Sequence, residues 1–252
     1  MIAHLGMYDR PETAAANDRF WSSIRDQLGF GPDTLTREIG FMEAWESPDL
    51  LLSQTGGMPY RLRLRPKVTL VGTPDFALPD CPPGYYNSVF IAKKSRGIRT
   101  LHDLNGACFA YNEAFSQSGW AAPVTHLEAR DLRPGALLET GGHALSAKAV
   151  AENRADFAAL DALTWRLVQL FDDFAADLIE ITRTQPTPTL PYITAAGRDP
   201  AVLYSAIEHA IQNLSGFDRN LLSLHALVSI PADEYRSVPT PHPPAFFSSP
   251  KE

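Results

Sequence analysis

Cysteine, basic charge and long apolar runs are all scarce in this 252-residue chain, and each shortage removes a class of protein. Only Cys81 and Cys108 are present, in no CxxC pair and at no metal-ligand spacing, so no metal site is expected. They predict two buried thiols or one disulfide. Lys and Arg number 22 against 29 Asp and Glu, a formal charge of −7. A nucleic-acid binder needs a basic face for the phosphates, so that class is excluded. A small anion is not, because backbone N–H groups can hold one without any cation. No apolar run approaches the roughly 20 residues of a membrane span, so no membrane insertion is expected. The opening "MIAHLGMYDRPETAAAND" has neither a basic n-region nor a long apolar stretch, so no secretory signal is expected in it.

What is present is alternation. "IAHLGM" reads as a short buried strand and "RPETAAANDRFWSSIRDQLG" as the helix after it, with Pro11 in the first turn and Phe20, Ile24 and Leu28 on one face. "DLLLSQT" and "KVTLVGTP" are further strands. After the Pro/Gly-rich "TPDFALPDCPPG" comes strand "YYNSVFIAKK", and the pattern restarts: strand "ACFAYNE", helix "SGWAAPVTHLEA", helix "GGHALSAKAVAENRA", strand "DFAALD", helix "ALTWRLVQLF", strand "DLIEITRT". A second Pro-rich passage, "QPTPTLP", leads to strand "YITAAG" and a helix from about Pro200 to Leu214. Strands separated by helices indicate an α/β protein with mostly parallel sheets. Two Pro-rich connections, near 74–90 and 183–191, divide the chain into one lobe of residues 1–84 and 190–252 and an inserted lobe of 85–189. They form a double-stranded hinge, with an irregular tail from about 238. A cleft between two such lobes is the natural ligand site.

Three stretches carry candidate chemistry. In "AYNEAFSQSGW" a strand runs into a helix start with Ser116, Gln117, Ser118 and Gly119 at the corner. First-turn N–H groups, the helix dipole and two hydroxyls make an oxyanion cradle there, and a plain serine N-cap explains the same residues. In "ETGGHALSAKAVAENRADFAALD", His143 opens a helix behind two glycines and Asp161 ends a strand; either is a ligand group or a helix cap. In "SQTGGMPYRLRL", Gln54 and Thr55 end a strand and Tyr60 opens a helix; Tyr8 stands at a similar corner after the first strand.

Together these segments resemble the phosphate/phosphonate-type solute-binding proteins of ABC transporters, which have the type 2 periplasmic binding protein fold. The resemblance spans "LGMYDRPE" to Leu214 and is carried by "SQTGGMPY", "YYNSVFIAKKSRGIRTLHDLNGACFAYNEAFSQSGW" and "GGHALSAKAVAENRADFAALD". The family's loop usually reads Ser-Thr-Ser-Gly, and here Gln117 replaces the threonine. It implies a ligand site of Tyr8, Gln54, Thr55, Tyr60, Ser116, Gln117, Ser118, Gly119, His143 and Asp161, with no cofactor and no metal. It also implies a small anionic or polar solute, a permease or sensor as partner, and a periplasmic location, with a cytoplasmic one left open by the opening residues.

Capture of a small oxyanion or polar organic solute is therefore the leading expectation. A cytosolic enzyme on the same fold, similar to those of the menaquinone pathway, would use Ser116 or Ser118 with His143 and Asp161 as nucleophile, base and orienter. "AFSQSGW" lacks the first glycine of GxSxG, which weighs against it. A solute sensor acting on another protein is the third reading.

Overall fold

The computed structural model describes residues 1–247. Two compact units share the chain: Met1–Tyr85 with Pro188–Ser237, and Tyr86–Thr187 with the residues from Val238 onward. In chain order the strands are β1 (Ile2–His4), β2 (Leu50–Gln54) and β3 (Val68–Asp75), then β4 (Tyr85–Tyr86) at the passage to the second unit. The second unit holds β5 (Ser88–Lys93), β6 (Cys108–Tyr111), β7 (Ala136–Glu139), β8 (Phe157–Asp161) and β9 (Leu178–Arg183). β10 (Thr187–Pro188) pairs with β4 on the way back, and β11 (Tyr192–Ala195) and β12 (Ala226–Val228) complete the first unit.

The first unit's sheet runs β1-β2-β11-β3-β12. β1 and β2 are parallel, with Ala3 opposite Leu52; Ala3, Leu50, Leu51 and Leu52 are fully buried, and the polar ends His4, Ser53 and Gln54 are buried with them. The helix Pro11–Leu28 covers this sheet with Ala16, Phe20, Trp21 and Ile24. It starts at a proline that needs no intrahelical donor and stops at Gly29, whose φ is +72°. β11 and β12 run antiparallel to β3, so this sheet is more mixed than strand–helix alternation suggests. The reason is topological: β11 follows the return passage directly, with no crossover helix to reverse its direction.

The second unit's sheet runs β7-β6-β8-β5-β9. β6, β7 and β8 are parallel, and β5 alone opposes its neighbours, pairing Ser88 with Asp161 and Lys93 with Leu178. β7 was invisible to the strand pattern, being four residues of which none is fully buried. The core is an aromatic stack: Phe109 lies face to face with Phe157 at 4.8 Å and with Trp120 at 6.1 Å.

Residues from Val238 were expected with the first lobe and belong to the second unit instead. Trp120 Nε1 donates to the His242 carbonyl at 3.0 Å and Phe247 packs edge-on against the Trp120 ring, a hydrogen bond and an aromatic contact that tie the tail to this core. The end of that tail, 248–252, lies outside the described residues. Cys81 and Cys108 are not joined in a disulfide and are half-buried rather than buried. Burial, then Asp156, pushes the Cys108 thiol up. Among the described residues no helix is long and apolar enough to cross a membrane, and no group of three His, Cys, Asp or Glu is placed to hold a metal.

Candidate functional site

In the second unit the C-terminal ends of β6 and β8 and the starts of two helices converge on one cluster. β6 ends at Tyr111, and after a short loop Ser116 takes up an extended backbone and becomes the N-cap: its Oγ accepts the Gly119 N–H at 2.9 Å. Helical structure follows as one wide turn, Gln117–Ala121, continued by Ala122–Glu128. In that wide turn Ala121 N–H reaches back five residues to the Ser116 carbonyl at 3.0 Å. Such single π turns recur at functional sites. The turn is fastened by Trp120, fully buried in the aromatic stack directly behind Gly119. Ser116, Gln117 and Ser118 are all buried.

His143 is the first residue of helix His143–Ala151, launched by Gly141, whose φ of +83° favours glycine, and capped by Gly142. Its Nε2 lies 3.0 Å from Ser118 Oγ and 3.5 Å from Asp161 Oδ2. Burial lowers the His143 pKa, against the opposing pull of Asp161 and of the Ala159 carbonyl. Nδ1 is buried and has no hydrogen-bond partner among the described residues. The ring is therefore neutral at neutral pH. Protonated at Nε2 it donates toward Asp161; protonated at Nδ1 it accepts from the Ser118 hydroxyl.

Asp161, at the end of β8, caps the next helix: Oδ1 accepts the Thr164 N–H at 2.8 Å and Oδ2 the Thr164 hydroxyl at 2.6 Å. Asp161 is thus a helix cap whose Oδ2 also faces His143. The cluster does not form a nucleophilic relay. In a Ser-His-Asp triad the hydroxyl and the carboxylate engage opposite ring nitrogens, whereas here both face Nε2.

The space beside Gly119 is occupied by Asn112, a residue the sequence did not flag. A Cβ on Gly119 would lie 1.8 Å from Asn112 Oδ1 and 3.0 Å from His143 Cε1. Beyond the loop, Tyr111 donates to Glu139 at 3.1 Å, and burial, then Glu139, raises the Tyr111 pKa to about 12. Glu113 is likewise pushed up by surrounding protein and by Glu139, although the residue keeps solvent contact.

The first unit treats its candidates differently. Gln54 is buried and donates from Nε2 to the Leu190 carbonyl at 3.0 Å. Thr55 is fully buried, and its Oγ1 has no partner among the described residues. The Tyr60 ring sits in a core with Trp45, Leu50 and Ile193 and meets Tyr235 edge-on at 5.5 Å. Its hydroxyl makes no hydrogen bond among the described residues, and burial raises its pKa. Tyr8 and Gln54 line a cavity of about 20 Å³ with Phe76 and Tyr192, room for about one water. Tyr60 does not line it.

Two α/β units with mixed sheets, joined by paired strands and carrying a polar cluster at strand ends, define a solute-binding protein of the periplasmic type. The chain belongs to the family of periplasmic substrate-binding proteins of phosphonate ABC transporters, whose model matches residues 62–231, about two thirds of it. The fold is similar to PhnD1 from Prochlorococcus marinus in complex with methylphosphonate (TM-score 0.73, 14% identity, 94% of both chains covered). It is also similar to a binding protein component of an ABC phosphonate transporter from Pseudomonas aeruginosa (0.69, 13%, covering 93% of this chain and 82% of that one). A third similar structure is the glutamate-bound GluR0 ligand-binding core from Nostoc punctiforme (0.58, 13%, 87% and 94%). No curated protein sequence matches it significantly.

Proposed function

We propose that this chain captures a small phosphonate- or phosphate-like oxyanion for an ABC permease, in the periplasm, and that the second-unit cluster is its principal grip. The observation that carries this reading is the convergence of Ser118 and His143 at the start of the turn that Ser116 caps. Hydroxyls, main-chain N–H groups and a neutral imidazole supply the donors. None of the hydrogen bonds that organise Ser116, Ser118, His143 and Asp161 involves Lys or Arg. With Glu113 and Glu139 nearby, such a site favours a singly charged oxyanion over a doubly charged one.

The test is a thermal-shift and calorimetric panel of methylphosphonate, phosphate, phosphite, small sulfonates and small carboxylates. A cognate ligand at 100 times its Kd adds about 2.7 kcal/mol. For a chain of this length that raises Tm by about 5–10 °C. A phosphonate, phosphite or phosphate monoanion should give the shift. A panel in which nothing moves Tm, or only carboxylates do, overturns the reading.

A further inference from the structure

We infer that Asn112 is a positioning residue for the oxyanion cluster, holding its two halves together from the loop behind β6. This rests on the proposed function for what the cluster binds, but not for how the cluster is built. The main chain of Asn112 anchors one half. Its carbonyl accepts the Gly141 N–H at 2.8 Å, one residue beyond the point where the Tyr111 carbonyl accepts the Thr140 N–H at 2.9 Å. These bonds extend the β6–β7 ladder into the glycine turn from which His143 starts.

Its side chain anchors the other half. Asn112 Oδ1 occupies the place where a Gly119 side chain would begin, and His143 Cε1 borders the same spot. The carboxamide is thus wedged between the turn that presents Ser118 and the ring that meets it. Oδ1 is buried and has no N–H or O–H partner among the described residues. A buried carbonyl left in that state is destabilising, and an apolar side chain would remove the penalty. Filling the space beside that edge of the ring, the carboxamide holds the imidazole in place with Nε2 at Ser118.

Two readouts test this. The first needs no ligand. Long-range ¹H–¹⁵N spectra of the His143 ring, assigned with His143→Gln, report its tautomer and titration. Wild type should show a single tautomer; Asn112→Ala should show averaged ring nitrogens. The second is methylphosphonate affinity, which Asn112→Ala should lower at least tenfold while Tm of the apo protein stays within a few degrees. Gly119→Ala should lower affinity as much. The Asn112→Ala/Gly119→Ala pair should recover part of the loss, because the carbonyl that the new methyl strikes is gone. If Asn112→Ala fails to fold, the near-isosteric Asn112→Asp replaces it, and the ring spectrum should then move through a raised His143 pKa. Unchanged His143 nitrogen shifts, or strictly additive losses in the double variant, overturn the inference. A wild type that binds no oxyanion defeats the proposed function instead, and the apo ring spectra still judge Asn112.

Discussion

The two units handle their polar residues in opposite ways. In the second, Ser116, Ser118, His143 and Asp161 are bonded to one another or to the helix starts they cap, so the cluster is held by its own contacts. In the first, Gln54 is tied to Leu190 and the Tyr60 ring is packed on Tyr235, with no contact between the two candidates. Preorganised donors lose little freedom on binding, whereas single side chains held by a core add one contact each. The second unit thus gathers its polar side chains into one bonded cluster, and the first holds its own one by one in a core.

The largest effect expected from breaking this contrast is on stability, in the first unit. Tyr60→Ala empties a buried aromatic site and should cost about 3–5 kcal/mol, read as a lower urea midpoint. Tyr60→Phe keeps the ring and should leave the midpoint nearly unchanged; a drop as large as that of Tyr60→Ala would show that the hydroxyl, not the ring, holds this core.

Acid should sharpen the contrast next. Burial, then Arg130, pushes the His126 pKa down to about 4, with the ring packed 5.6 Å from Phe90 in the second unit. Unfolded, it titrates near the ordinary 6.5. The unfolded chain thus takes up the proton first, and stability is full above about pH 6.5 and falls as the pH drops toward 4. For His126 the loss is at most about 3 kcal/mol. Burial lowers His4 in the first unit and His143 in the second in the same direction, so they add to the loss. Urea midpoints at pH 7 and pH 4.5 should converge by that margin in His126→Phe. A wild-type midpoint that does not move with pH would show the ring to be solvated.

The legible part of the site was the part built locally. Ser116, Ser118, His143 and Asp161 each stand at a strand-to-helix corner, and such corners are written in consecutive residues: a β run, a small or polar cap, a helical period. The fold was legible for the same reason, since most strands and helices carry their own apolar rhythm. What the sequence hid was decided by distant partners. Nothing in the residues around Tyr60 announces that Tyr235 closes on its ring from far along the chain. Asn112 reads as an ordinary residue after a strand, and only the fold sets its carbonyl where Gly119 has no side chain. The strand β7 lacks the alternation that would announce it, and is specified by its ladder with β6. The tail from Val238 reads as loose Pro-rich chain because its anchor, Trp120, lies in another segment.

The smallest change in stability should accompany the largest loss of function, at Asp161 and Ser118. Asp161→Ala removes a helix cap and should cost about 1 kcal/mol, within the usual range for capping residues. It also frees Nε2 of its carboxylate neighbour, so the His143 pKa should fall further, because the attraction that opposes burial is gone. Ser118→Ala removes a single hydroxyl contact and should cost about 0.5–1.5 kcal/mol, the range for one hydrogen bond. Both variants should unfold cooperatively near the wild-type midpoint, yet bind methylphosphonate at least tenfold more weakly in calorimetry. Since neither residue belongs to the aromatic core, weak binding beside near-native stability would separate grip from scaffold within one unit. Native affinity in Ser118→Ala would instead show that the hydroxyl only completes the helix start, leaving main-chain N–H groups to hold the anion alone.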